Sequence, residues 1–484
     1  MACEVTIKTK NIKSTYFQTP TIVYTLRLSY FSKMNAQNIL LINPWIADFA
    51  AYDLWAKPLG LLYIGKFLRR HGYKIQLIDL ADRQRWGNSK SLTPISGRGK
   101  YHKTIIPKPA SIAHVPRHYG LYGATREQFI SELKSIEVPN LILVTSHMSY
   151  WYPGVSETVK ILRDVFPESK IVLGGIYATL FPDHARQIIQ PDYLMTGYGE
   201  KQSLQLADSL FGITRDDSAV PNTLDSGILP WDLYPRLHVA TLLTSRGCPM
   251  HCDYCASPYL NPNFIQRTPE DVVAEIVHLY ARMNVQEFAF YDDALFTNKK
   301  HHISPILKSI INHKIQAMFH TPNGLFARDI DGGLAQLMKE SGFKTIRLSL
   351  ESIIPVIQTA STNKVSTHYF ECALDNLEKA GFQRKDIETY LIMGLPGQKY
   401  SDVEITIRYV FEQGALSRLA AYSPIPHTMY WDMAKKSGHV WDEMDPLLTN
   451  NTLYPCATAD FPVEKFMELR QLSNQLNANV KSKT

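Results

Sequence analysis

The chain has 484 residues, 45% of them apolar, which is enough to build cores for several domains. No apolar run is long enough to span a membrane, no signal-peptide apolar region is present, and nothing reads as low complexity or a solenoid repeat. The net charge of +6 hides an asymmetry. Arg83, Arg85, Lys90, Arg98, Lys100, Lys103, Lys108, Arg117 and Arg126 follow one another with no acid between, while the other 42 bases face 45 acids. Such a stretch is either a solvated loop or a positive collar for an anionic cofactor or substrate, and the absence of a recognition motif argues against nucleic acid.

Residues 1–33 carry one acid and five bases and fit no later pattern. Met34 precedes the first apolar strand, so the folded chain is expected to start there. The rival is an added edge strand, because TIVYTLRLSYF has strand-like composition. Strands are expected at 38–43, 74–79, 141–146, 170–174 and 192–196. Between them, segments such as PLGLLYIGKFLRRHG and VSETVKILRDVF carry helical apolar spacing. Near-continuous apolar strands joined by helices predict a doubly wound parallel sheet over 34–210. Ligands of such sheets bind beyond the carboxyl ends of the strands. Those ends carry TSHMSY, GGIYAT and GYGE, which makes Ser146, Gly174, Gly175, Thr179, Gly199 and Glu200 candidates for contact with a cofactor. The glycine pair serves either close backbone approach to a ligand or tight packing.

Residues 211–236 are turn-rich and read as a linker. The alternation then restarts with a longer period. Strands are expected at 239–245, 286–291, 316–320, 344–350, 387–393 and 417–423, with helices between them. Six βα units fit a partial (β/α)6 barrel over 237–425, which residues 426–484 are expected to close.

The first barrel strand runs directly into TSRGCPMHCDYC, which packs Cys248, Cys252 and Cys255 into eight positions at the carboxyl rim. With six cysteines in all, half of them clustered, the pattern is not a disulfide framework and fits a reducing cytosol. Structural zinc wants four ligands. No second cysteine pair exists, and His251 adjoins Cys252 and would compete with it for geometry. An iron–sulfur cluster fits better, and three thiolates leave one iron open. Cys372 lies in a helical pattern and Cys456 far down the chain, so neither is expected to be a fourth ligand.

The C-x3-C-x2-C spacing, with Tyr254 before the last cysteine, resembles the signature of the radical S-adenosylmethionine (SAM) superfamily. The resemblance implies a [4Fe–4S] cluster whose open iron binds the amino and carboxylate groups of SAM, and reductive cleavage to a 5′-deoxyadenosyl radical. It extends along the rim. The Asp292-Asp293 pair looks like the version used by the cobalamin-binding branch to hold the SAM amino group, with a helix N-cap as the rival reading. Asn323 and Arg328 are polar candidates after the third strand. Ser349 and Glu351 resemble positions that hold the ribose or amino-acid part, and Gly394 and Gly397 would admit adenine. Relatives commonly show Pro-Gly-Thr where this chain has Pro426-His427-Thr428. His427 thus departs from the pattern, and it would act as an acid or base if it faced the cavity.

The first domain is similar to the cobalamin-binding module of that branch, although D-x-H-x-x-G, the element that gives cobalt a lower-face histidine elsewhere, is missing. The resemblance implies a cytoplasmic, cobalamin-dependent methyltransferase acting on an unactivated carbon. Its substrate would be a small molecule or peptide, and its electron donor a flavodoxin or ferredoxin. The alternatives are a radical rearrangement or cyclisation, or a non-catalytic iron–sulfur protein.

Overall fold

The computed structural model describes residues 37–87, 96–215, 224, 227–362 and 365–482. The expectations for residues 1–33 and for Lys90 fall outside the described residues.

The first sheet has five parallel strands. In spatial order they are Tyr193–Leu194, Lys170–Leu173, Leu141–Val144, Asn38–Asn43 and Lys74–Asp79. NILLIN is buried at every position, as a central strand covered on both faces requires. Chain order reverses where Asn38–Asn43 lies between Lys74–Asp79 and Leu141–Val144, so the crevice of this sheet opens beside Asn43 and Val144.

The second sheet is parallel too, and its six main strands lie in chain order: Val239–Leu242, Glu287–Phe290, Met318–His320, Phe343–Glu351, Ile387–Met393 and Leu416–Ala421. First and last do not pair, so this is an open (β/α)6 barrel. The C-terminal helix Val463–Ser482 covers the free edge of the last strand, where Ser417 meets Ser473 at 2.8 Å and Asn477 donates to the Ser417 carbonyl at 2.8 Å. The segment before that helix does a different job from barrel closure. Asn450 donates to Asp48 at 2.9 Å and Ser111 to Asp445 at 2.7 Å, which ties the chain end to the first sheet's loops.

Where it is described, the expected linker is a clasp. Leu229, Trp231, Tyr234 and Leu237 are buried in one core with Leu62 and Phe67 of the first domain and Leu242 and Phe290 of the barrel. Turn-forming residues mark this stretch in sequence, but its apolar residues decide its packing. Glu275 holds the clasp by accepting from the Trp231 indole at 3.0 Å while paired with Arg267 at 2.7 Å, both side chains at most 2% exposed. Glu275→Ala would strand the Arg267 charge, and we expect a loss of about 3–5 kcal/mol in urea unfolding.

Five bases of the basic stretch are engaged by other groups of the protein. Arg83 pairs with Asp53, Arg85 with Glu132 and Arg126 with Glu157, while Lys103 and Lys108 donate to backbone carbonyls. Its Arg98–Lys100 segment pairs with Tyr52–Leu54 and brings Trp55 onto the inner face of the barrel. There the indole stacks on His320 at 4.1 Å and donates to Glu287 at 2.6 Å. This strand pair braces the joint between the two sheets, whereas Arg85, Arg126, Lys103 and Lys108 tie together elements of the first domain.

Candidate functional site

Strand Val239–Leu242 ends at a turn organised by one carboxylate. Asp292 is 3% exposed and accepts from the Thr244 amide at 3.0 Å, the Thr244 hydroxyl at 2.7 Å, and the Ser245 amide and hydroxyl at 2.6 Å each. Burial pushes its pKa up against the pull of these bonds. Asp292 is thus placed under the turn that launches the cysteine loop, with all four of these bonds on its Oδ1, and it is not among the residues lining either cavity described below.

The loop folds back on itself, with the Cys255 amide on the Cys252 carbonyl at 3.0 Å, and is pinned by the Asp253 amide on the Ala360 carbonyl at 2.9 Å. Cys248, Cys252 and Cys255 line a recess of about 300 Å3. Among the described residues no three His, Cys, Asp or Glu side chains converge as a preformed metal site. Burial, then the neighbouring Asp293, Cys252 and Cys255, raises the Cys248 thiol to about 11, so metal loading must displace protons. Cys372 lies beside His368, and Cys456 is buried in an apolar cluster, its thiol pushed up to about 12, so neither joins the recess.

Asp293, Tyr254, Asn323 and Ser349 complete the recess together with Tyr390, which sequence reasoning missed. Tyr254 meets the Ser361 hydroxyl at 3.0 Å, and Asn323 donates to the Tyr291 carbonyl at 2.9 Å. Asp293 accepts from the Ser257 hydroxyl at 2.6 Å, and desolvation by the surrounding walls raises its pKa although the residue keeps an exposed face. The remaining candidates stand outside these walls. Arg328 lies over Met250 at 3.9 Å. Glu351 sits at a bulge with φ +66°. His427 is exposed and stacked on Tyr259 at 3.8 Å, on the outer rim. Gly394 is a packing glycine, not an adenine cradle: a Cβ there would lie 2.8 Å from Phe466. Gly397 borders open space.

A second cavity, of about 320 Å3, opens between the carboxyl ends of the first sheet and the barrel rim. Ser146, Gly174, Gly175, Thr179, Gly199 and Glu200 all line it. From the barrel side come Arg246, Asn261 and again Asp293. Arg246 donates to Glu200 at 2.6 Å and lies over the Tyr63 and Tyr198 rings, joining the two domains across the cavity. The buried hydroxyls of Tyr63 and Tyr198, both on lining residues, have no partner among the described residues. Orphaned polar atoms around such a space suit a large ligand rich in hydrogen-bonding groups.

Gly175 shapes this wall with φ +95°, where a Cβ would lie 2.3 Å from the Ser146 carbonyl. At Gly174 the nearest atom would be 3.6 Å away. We expect Gly175→Ala to cost at least about 1–3 kcal/mol of stability from the backbone alone. Gly174→Ala should leave thermal unfolding nearly unchanged.

Comparison with known proteins follows this geometry. Residues 242–410 match the family model of the radical SAM superfamily. The chain is 22% identical over 455 residues to the cytidylyl-2-hydroxyethylphosphonate methyltransferase of Streptomyces wedmorensis, covering 80% of each. It shares its fold with TsrM of Kitasatospora setae, a radical SAM methyltransferase solved with cobalamin and a [4Fe–4S] cluster bound. That match has a TM-score of 0.61 at 15% identity and covers 84% of this chain and 76% of that one. The cobalamin-dependent radical enzyme OxsB, solved with aqua-cobalamin and SAM, matches with a TM-score of 0.54 at 12% identity. There 91% of this chain corresponds to 61% of that one.

Proposed function

We propose that the chain is a radical SAM enzyme, a cobalamin-dependent methyltransferase acting on an unactivated carbon. Once bound, the cluster and SAM supply hydrogen-atom abstraction, and the corrinoid supplies a methyl group. The observation that carries the reading is that Asp293 walls both the cysteine recess and the interdomain cavity. Chemistry that uses two cofactors on one carbon requires their sites to meet, and these meet at one side chain.

Cys248, Cys252 and Cys255 would hold the cluster. Asp293, fixed by Ser257, faces the recess as a partner for the SAM ammonium, with Asn323 and Ser349 beside it. Ser146, Gly174, Gly175 and Thr179 would hold the corrinoid, and Arg246 with Glu200 would screen the junction from water. The cluster needs a one-electron donor, a flavodoxin or ferredoxin of a reducing cytosol. Among the described residues no helix is long and apolar enough to cross a membrane.

The test is anaerobic purification with cobalamin supplied, then mass analysis of products formed from a metabolite extract. A product one methyl heavier than its precursor is expected. A radical-dependent product of unchanged mass would move the reading to a rearrangement or cyclisation.

A further inference from the structure

Behind the floor of the cysteine recess the barrel buries a cation. Arg347 stands on strand Phe343–Glu351, and its side chain is fully buried. Its Nη1 donates to the Pro322 carbonyl at 3.1 Å and to the Tyr390 hydroxyl at 3.0 Å. That hydroxyl donates in turn to the same carbonyl at 2.8 Å. Pro322 and Tyr390 line the recess together with the three cysteines, so the guanidinium lies directly behind them. Its Nη2 is buried and has no hydrogen-bond partner among the described residues.

One carboxylate faces this cation, and it is shared. Arg347 Nε meets Glu388 Oε2 at 2.6 Å, while Arg418 takes both oxygens of Glu388, Nη2 on Oε1 at 2.6 Å and Nε on Oε2 at 3.0 Å. Two guanidiniums on one carboxylate leave a positive charge over. Arg418 keeps 43% of its side chain in solvent, which screens it, and Arg347 keeps none. The other acid of the barrel interior, Glu287, stands at the amino end of its strand, where it accepts from the Trp55 indole and the Gly97 amide, whereas the recess opens at the carboxyl rim. His320, beside Glu287, stays neutral, because burial, then Arg98, Arg347 and Lys344, lowers its pKa to about 4.

A buried guanidinium with an unmet nitrogen and a shared counter-charge is costly, and an apolar side chain would fill the space at less expense in stability. The recess on the other side of the floor explains it. Three thiolates outweigh the charge of an oxidised [4Fe–4S] core, so a cluster held there is an anion, and its reduction adds a further negative charge. A cation held in a low dielectric beside it stabilises the reduced form most.

We propose that Arg347 raises the reduction potential of the cluster held in the recess, which brings it within reach of a one-electron donor. The assignment rests on the cluster reading above. No bond forms or breaks in this step: one electron passes from the donor to the cluster. Arg347 acts on it through space and touches neither SAM nor substrate.

The experiment is an anaerobic potentiometric titration of the reconstituted full-length protein, without SAM or substrate, followed by electron paramagnetic resonance of the reduced cluster. Arg347→Gln should keep its cluster and show a lower midpoint potential. Arg347→Lys retains the charge and should stay closer to the unsubstituted value. Glu388→Gln removes the counter-charge and should move the midpoint upward, which decides the matter alone if Arg347→Gln does not fold. Tyr390→Phe removes a hydrogen bond at the same floor without changing charge, and should shift the midpoint less than Arg347→Gln does. A midpoint that Glu388→Gln leaves in place or lowers would overturn the proposal and leave the cluster reading intact. So would a shift in Tyr390→Phe as large as that in Arg347→Gln. An unsubstituted protein that takes up no cluster would overturn the cluster reading, and the proposal with it.

Discussion

Cys252→Ala, purified without oxygen, should contain almost no cluster iron and cleave no SAM, yet fold normally. Cys252 is 9% exposed, and its thiol makes two long contacts, 3.6 Å to the Ser361 carbonyl and 3.9 Å to the Thr362 hydroxyl, so the fold loses little when it goes. The proposed cluster would lose one of its three protein ligands, and among the described residues no spare thiol is at hand: Cys372 and Cys456 lie outside the recess. Iron analysis and the visible chromophore measure the effect directly, with far-UV circular dichroism as the control. Undiminished iron in this variant would contradict the assignment of the recess.

Asp292→Ala should also lose the cluster, but by a different route. The substitution removes no ligand. It leaves the amides of Thr244 and Ser245 without their acceptor in a turn where Thr244 is fully buried and Ser245 is 1% exposed. Each stranded donor costs about 1–3 kcal/mol, and the loop that begins there carries all three cysteines. We therefore expect lower iron content together with a reduced unfolding midpoint, whereas Cys252→Ala lowers iron alone. A variant with native stability and full iron but impaired SAM binding would return Asp292 to the cofactor-contact role that its sequence position suggests.

This pair of carboxylates shows where sequence reading runs out. Both stand in FYDDALFT, and nothing in that string says that one turns under the first strand while its neighbour walls two cavities. The main strands were legible because runs such as NILLIN, LILV and IETYLIM leave little choice of structure, and parallel strands send their carboxyl ends to a common rim. The cysteine loop was legible because its ligands are local in sequence.

Long-range partners were not. Three bases of the basic stretch meet acids on other elements, Asp53, Glu132 and Glu157, which the run itself does not reveal. Trp55 enters the barrel only because Tyr52–Leu54 pairs with Arg98–Lys100. Asn450 reaches Asp48 across 402 residues.

The measurement that bears most directly on the central claim is the fate of SAM during turnover. The protein, loaded anaerobically with cluster and cobalamin and supplied with a one-electron reductant and its substrate, should spend SAM in two ways. It should release 5′-deoxyadenosine and S-adenosylhomocysteine in about equal amounts, the ratio set by one radical event and one methyl donation per product. Sustained turnover that yields 5′-deoxyadenosine alone, or neither product despite a full cluster, would contradict it.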